Sequence, residues 1–223
     1  MQKLGEAVEF AENPEPRCPC VLLIDVSGSM QGEPMEALNA GLRVFHEDLQ
    51  KDSLTMLRVE VAVVTFSSTV TMVQDFVTAD LFQPSTLEAS GLTHMGSGIM
   101  KALDMIQARK QDYKANSVAY YRPWIFLITD GAPQGEQEHI IAMATRRVHQ
   151  ADANKSVAFY TVGVEGADME QLRSIAPPSR QPLKLRGLSF RELFAWLSSS
   201  MTSISHSNPD DQVPLPPVGW GTA

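Results

Sequence analysis

Cysteine is nearly absent: Cys18 and Cys20 are the only two among 223 residues, and a single proline separates them. A bridge across one residue would form a strained ring, and two thiolates alone make a poor structural zinc set. The pair therefore reads as reduced thiols at the mouth of a strand, which gives the cytoplasm as the default address. Positive charge is also scarce, with 18 Lys and Arg against 26 Asp and Glu and a formal net charge of −8. That balance argues against nucleic acid or an anionic membrane surface as the partner. No apolar run approaches the ~20 residues that span a bilayer. The first residues lack the charged start and apolar core of a signal peptide, with Glu6, Glu9, Glu12 and Glu15 in their place. Internal repeats are missing too.

What is present is an ordinary globular balance, 43% hydrophobic and 20% charged, in a length suited to one α/β domain. Residues 21–24 (VLLI), 58–66 (RVEVAVVTF), 69–77 (TVTMVQDFV), 124–129 (WIFLIT) and 157–164 (VAFYTVGV) read as strands, with 182–185 as a weaker last one. Only Ser67 and Ser68 separate the second run from the third, so that pair is expected to be antiparallel. Between the strands the period becomes helical, as in Met35, Leu38, Leu42, Phe45 and Leu49 behind Pro34. Ile99, Leu103 and Ile106 mark a second helix, and Ile140, Ala144, Val148 and Ala151 a third. Residues 169–175 form a short helix, and Phe190 to Met201 the last, with Ser189 as its expected N-cap. This alternation predicts an open, mostly parallel sheet with one antiparallel edge strand and helices on both faces. Residues 1–17 are a lead-in, 18–203 the domain, and 204–223 a polar, proline-rich tail. Trp220 in that tail either docks on the domain or is a stray aromatic.

In open sheets of this kind a ligand sits beyond the carboxyl ends of the strands. Asp25-Val26-Ser27-Gly28-Ser29 follows the first strand directly, and residues 25, 27 and 29 point the same way in extended chain. Asp130-Gly131 follows WIFLIT. Hard oxygen donors with only two carboxylates suit Mg²⁺, which keeps some of its waters. Mn²⁺ and Ca²⁺ are the alternatives.

The Asp-x-Ser-x-Ser run and the later Thr-Asp-Gly resemble the metal-ion-dependent adhesion site (MIDAS) of von Willebrand factor A domains, whose Rossmann-like fold agrees with the predicted sheet. The resemblance covers about residues 18–200. It assigns the family's mid-chain threonine to Thr93, in Gly91-Leu92-Thr93-His94-Met95-Gly96, with Thr86 as the alternative. It implies that Ser27 and Ser29 bind the ion directly, and that Thr93 does so directly or through water. It further implies that Asp25 and Asp130 act mainly through water, and that the remaining position goes to water or to a partner's Asp or Glu. Residues 17–32 (RCPCVLLIDVSGSMQG) further resemble the bacterial TerY-like proteins associated with tellurite resistance. That resemblance implies work beside a protein kinase and a metal-dependent Ser/Thr phosphatase.

Each residue has a plainer reading. Asp25 could cap a turn, and Ser27-Gly28-Ser29 could be a flexible loop, but neither accounts for acids at two strand ends. His94 beside Thr93 reads as a modulator of the site rather than a catalyst. His46, His139, His149 and His206 read as solvated. Gln134, Glu136 and Glu138 read as surface groups at a helix start rather than a rim of the site.

Catalytic readings fare worse. A haloacid-dehalogenase-type phosphatase needs a second Asp two residues after the first, where Ser27 stands. Gly91 to Gly96 has the glycine spacing of a P-loop, but Ser97 occupies the place of its lysine. No Gly-x-Ser-x-Gly elbow exists, and His46-Glu47 lacks the second His of a zinc protease. The expected function is therefore metal-dependent protein binding without catalysis. A metal-dependent phosphohydrolase and a non-switching scaffold remain as alternatives.

Overall fold

The computed structural model describes residues 9–209 and 211–222. Seven strands form one sheet in the order β3-β2-β1-β4-β5-β6-β7. They are β1 (Cys18–Asp25), β2 (Val59–Phe66), β3 (Val70–Thr78), β4 (Trp124–Thr129), β5 (Ala158–Gly163), β6 (Leu183–Leu185) and β7 (Gly221–Thr222). The helices are α1 (Glu33–Leu49), α2 (Ser53–Arg58), α3 (Met95–Ala115), α4 (Glu138–Ala153), α5 (Met169–Ile175) and α6 (Phe190–Ser205). Strands β2, β1, β4, β5 and β6 run parallel, and β3 returns antiparallel to β2 as expected. A second antiparallel edge, β7 on β6, was not predicted: two residues carry no periodicity, and only pairing with Lys184 and Leu185 makes them a strand.

Every residue of β1 is buried, which explains its unbroken apolar run. Leu22 and Ile24 face a core made with Leu38, Leu42 and Phe45 of α1 and Phe194 and Leu197 of α6. Val21 and Leu23 face the other core, made with Ile99, Leu103 and Ile106 of α3 and Val148 of α4. Gly41 lets α1 and α6 meet closely, since a methyl group there would stand 2.6 Å from the Phe194 ring and 3.0 Å from the Phe190 carbonyl oxygen.

Cys18 and Cys20 are free, stand at the first and third positions of β1, and are wholly buried. Burial, with Glu60 adding to it, pushes the Cys18 thiol up to about 12, so it behaves as a small apolar side chain. His46 is half-buried against Phe82 rather than solvated, and half-buried His149 reaches the Ala176 carbonyl oxygen at 3.0 Å. Ser189 occupies the N-cap of α6, but its side chain makes no capping hydrogen bond.

The polar end of the chain returns to the body. Trp220 is 2% exposed and meets the Trp196 ring edge-on at 5.7 Å, while Trp196 Nε1 donates to the Pro216 carbonyl oxygen at 2.8 Å. Among the described residues no helix is long and apolar enough to cross a membrane.

Six-residue α2 went unread because it is too short to show a period. Its start is set by Asp52, which accepts from the Thr55 backbone N–H and hydroxyl, both at 2.7 Å, and faces His206 Nε2 at 3.0 Å. These Thr55 bonds hold the carboxyl down at about 2. Its contribution to stability is therefore present above the ordinary value of 3.8 and fades as pH falls toward 2. Asp52→Ala is expected to cost about 1 kcal/mol at pH 7 and much less near pH 2, read by urea unfolding at the two pH values.

Candidate functional site

Strand β1 has β2 on one side and β4 on the other, so the chain changes direction across the sheet between β1 and β4. The crevice at their carboxyl ends is where such sheets bind ligands. Asp25 closes β1 and Asp130 follows β4 immediately. The β1 loop turns into a short 3₁₀ segment, Gly28–Met30, which presents Ser29 to solvent while Ser27 stays 1% exposed.

Asp25 is fully buried and both its oxygens are engaged. Oδ1 accepts the Ser27 backbone N–H at 2.8 Å, and Oδ2 accepts the Thr129 hydroxyl at 2.5 Å. The Ser27 and Ser29 hydroxyl oxygens stand 3.1 Å apart, and Ser29 donates to Asp130 Oδ1 at 2.8 Å. Thr93, 3% exposed, comes from a third loop. A Cβ placed on Gly131 would lie 3.9 Å from both Ser29 Oγ and Thr93 Oγ1, so Gly131 leaves the space between those hydroxyls open. The five predicted side chains thus gather at one end of the sheet. Thr86 lies exposed on the preceding loop.

Backbone hydrogen bonds lock the three loops together. Gly28 N–H donates to Gly91 O at 2.9 Å, and Ser90 N–H to Val26 O at 2.7 Å. Thr93 and Gln134 exchange both of their backbone hydrogen bonds, at 3.2 and 2.9 Å, in an isolated antiparallel bridge. Glu136 is more than a surface charge: it accepts from the Gly96 and Ser97 backbone N–H groups and, at 2.9 Å, from the Ser97 hydroxyl. A carboxylate on the first free N–H groups of α3 suits the helix dipole and anchors the loop that carries Thr93. His94 sits at the N-cap of α3, half-buried, with no side-chain cap bond.

Thr129 and Glu136 are the contributors that sequence reasoning missed. Thr129 was visible as the first residue of Thr-Asp-Gly, but its partner, 104 residues away, was not. Burial raises the Asp25 carboxyl above its ordinary range, against the hydrogen bonds from Ser27 and Thr129. Burial also raises Asp130, against the bond from Ser29. Two carboxylates are therefore held where their charge lacks solvation, the electrostatic condition that a cation relieves. Among the described residues no group of three or more His, Cys, Asp or Glu could hold a metal ion, so an ion here must rely on the hydroxyls.

The family model for the von Willebrand factor type A domain matches residues 20–191. Among solved structures, the chain is similar to von Willebrand factor type A from Catenulispora acidiphila, with a TM-score of 0.65 and 21% identity over 84% of this chain and 43% of that one. It is similar to proximal thread matrix protein 1 from the mussel byssus, with a zinc-occupied MIDAS motif, at a TM-score of 0.57 and 18% identity over 84% and 48%. It is also similar to the manganese-loaded Plasmodium vivax TRAP protein, at 0.51 and 19% over 71% and 62%. The alignments span less than half of the first two chains and less than two thirds of the third. No curated protein matches. On the match of the family model and the shared fold, the chain belongs to the von Willebrand factor type A domain family.

Proposed function

We propose that residues 18–203 form a metal-dependent protein-binding module. Asp25, Ser27, Ser29, Thr93 and Asp130 would hold a divalent cation whose coordination a partner's Asp or Glu completes. The observation that carries this reading is the chain of close oxygens from Ser27 to Ser29 to Asp130, at 3.1 and 2.8 Å. Neighbouring oxygens around an octahedral ion with Mg²⁺-like bonds stand roughly 3 Å apart, so the two serines have the spacing of adjacent ligands. The all-oxygen donor set favours Mg²⁺, with Mn²⁺ and Ca²⁺ as alternatives. The zinc-occupied byssus protein and the manganese-loaded TRAP protein support a divalent ion in this fold.

When bound, the ion would supply a Lewis-acidic position for an incoming carboxylate. Asp25 has both oxygens engaged by protein donors, which fits a role through water rather than direct contact. Neutral hydroxyls as the direct ligands leave charge for the partner's carboxylate. Ser27, two residues after Asp25, cannot serve as the general acid a phosphohydrolase would require there.

The finer placement rests on the sequence resemblance of residues 17–32. By it the protein would belong to the TerY-like group and work beside a protein kinase and a metal-dependent Ser/Thr phosphatase in tellurite-resistance signalling; the reduced cysteines would place it in the cytoplasm.

Titration calorimetry of metal-free protein with Mg²⁺ and Mn²⁺ tests the module. One-site binding is expected, lost in a Ser27→Ala/Ser29→Ala variant whose stability falls by about 1 kcal/mol or less. Absence of binding to wild type, with acetate present as well as without, would defeat the reading. Phosphoester turnover that disappears in Asp25→Asn would favour the phosphohydrolase instead. A metal that raises the melting temperature without strengthening partner capture would favour the scaffold.

A further inference from the structure

At the opposite end of the sheet, where β4 and β5 begin, a cleft of about 840 Å³ opens beside Trp124 and Tyr160. That volume lies in the range of small-molecule sites. Strand β4 alone separates it from the Asp130 loop by about 20 Å. One wall is the returning chain end, from Asp211 to Leu215.

In a protein of net charge −8, this cleft is lined by four cations, Lys110, Arg122, Lys155 and Arg180. Arg122 Nη2 and Arg180 Nη1 both donate to Asp152 Oδ1, the former at 2.8 Å, so two guanidiniums share one carboxylate oxygen. Arg122 spends only Nη2 on the protein, reaching also the Asp152 and Val157 carbonyl oxygens at 3.1 and 2.6 Å. Its Nε is buried and has no hydrogen-bond partner. Among the described residues its Nη1 makes no hydrogen bond and the side chain is 29% exposed, and an unmet guanidinium edge suits an oxyanion. Lys110 Nζ reaches the Ser156 carbonyl oxygen at 3.3 Å and stands 5.8 Å over the Tyr120 ring. Arg180 lies 5.2 Å over Tyr160. Lys155 is exposed, with no ion pair to its ammonium among the described residues.

We infer that this cleft binds a small phosphate ester, its phosphoryl oxygens taken by Arg122 and Arg180 and flanked by Lys110 and Lys155. Charge selects the ligand class. Of the described acids, Asp152 pairs with Arg122 and Arg180, and no ion pair is made by Lys110 or Lys155. A phosphate monoester, at about −1.5 to −2 at neutral pH, suits such a cationic lining better than a singly charged carboxylate. Burial lowers the Arg122 guanidinium, with Arg180 adding to it, and burial and Lys114 lower the Lys110 ammonium. Cations held in this state are short of counter-charge. The volume of the cleft suits a small molecule rather than a folded protein. Ile204, Val213 and Leu215 line the cleft and offer apolar surface to the organic portion.

The test is calorimetric titration of the full chain with adenosine monophosphate, inorganic phosphate and adenosine, at constant ionic strength. Saturable binding of adenosine monophosphate is expected, weaker binding of inorganic phosphate, and none of adenosine. A Lys110→Gln/Lys155→Gln variant should bind at least ~10-fold more weakly with its melting temperature unchanged, since neither ammonium holds the fold. Arg122→Lys, which keeps the charge but not the fork, should also weaken binding. Asp25→Ala should leave it intact, which separates this site from the metal reading. Equal affinity for inorganic phosphate would keep the site and name the free anion as its ligand. No saturable binding of either phosphate, or binding of adenosine as tight as of its monophosphate, would overturn the inference. Capture of a phosphoserine peptide without any adenosine monophosphate binding would overturn the small-ligand assignment.

Discussion

Replacing Glu60 with alanine is expected to destabilise the protein by roughly 3–5 kcal/mol, the cost of stranding buried charge. Glu60 is the second residue of β2 and is wholly buried. Its oxygens accept from Arg109 Nε and Nη2 at 2.9 and 2.8 Å and from the Tyr113 hydroxyl. Arg17 is also fully buried and holds Nε 2.9 Å from Glu60 Oε1, a charge contact without hydrogen-bond alignment. Glu60 raises the Arg109 guanidinium against the burial that would lower it. Without Glu60, two buried guanidiniums would remain, with Glu9, 2.6 Å from Arg109, as the carboxylate left to them among the described residues.

The same cluster ties down the chain before β1. Arg17 donates to the Glu15 and Asn13 carbonyl oxygens at 2.5 and 2.6 Å, and Phe10 lies beneath Arg109 at 4.8 Å. At 2–4 °C per kcal/mol for a domain of this size, the melting temperature should fall by about 6–20 °C. Limited proteolysis should then cut first within residues 9–17. A shift under about 3 °C, or cleavage elsewhere first, would show that the cluster does not act as the latch of this segment.

The second large effect concerns Asp25→Asn. Asparagine keeps the shape and can still accept the Ser27 N–H, but it removes a charge that burial disfavours. The metal-free variant should therefore be no less stable than wild type, while its Mg²⁺ affinity falls roughly 10–100-fold, as for outer ligands of other metal sites. The contrast sharpens in the melting curve. Saturating Mg²⁺ at 100 times its Kd should add about 2.7 kcal/mol to wild type and far less to the variant. A metal-free variant that melts many degrees below wild type would mean that Asp25 mainly anchors Thr129 and Ser27.

Where a signal was local, sequence reasoning reached the structure closely. Residues 124–129 and 169–175 were bounded as β4 and α5 are, because an apolar run or a helical period states itself within one segment. Asp25, Ser27 and Ser29 were legible for the same reason: two-residue spacing at a strand end places them together. Thr93 needed the family resemblance, since the long stretch from Ala79 to His94 carries no periodicity that would say where it lands. Glu136 was visible only as a charge near a helix start, and its bonds to Gly96 and Ser97 cross 40 residues.

Unbroken apolar runs in the strands and a period of 3.6 in the helices settled the layers of this protein, and the acids at two strand ends settled which edge to inspect. Those are properties of neighbours along the chain. Tertiary structure alone decided the rest, because it concerns partners that the chain brings together from far apart. Trp220 had no assigned place until Trp196 received it, and Gly221 and Thr222 became a strand only beside β6. The cations of the second cleft come from residues 110, 122, 155 and 180, and no stretch of sequence shows them as a cluster. Glu60 stays inside its strand because Arg17 and Arg109, 43 and 49 residues away, supply the opposite charge.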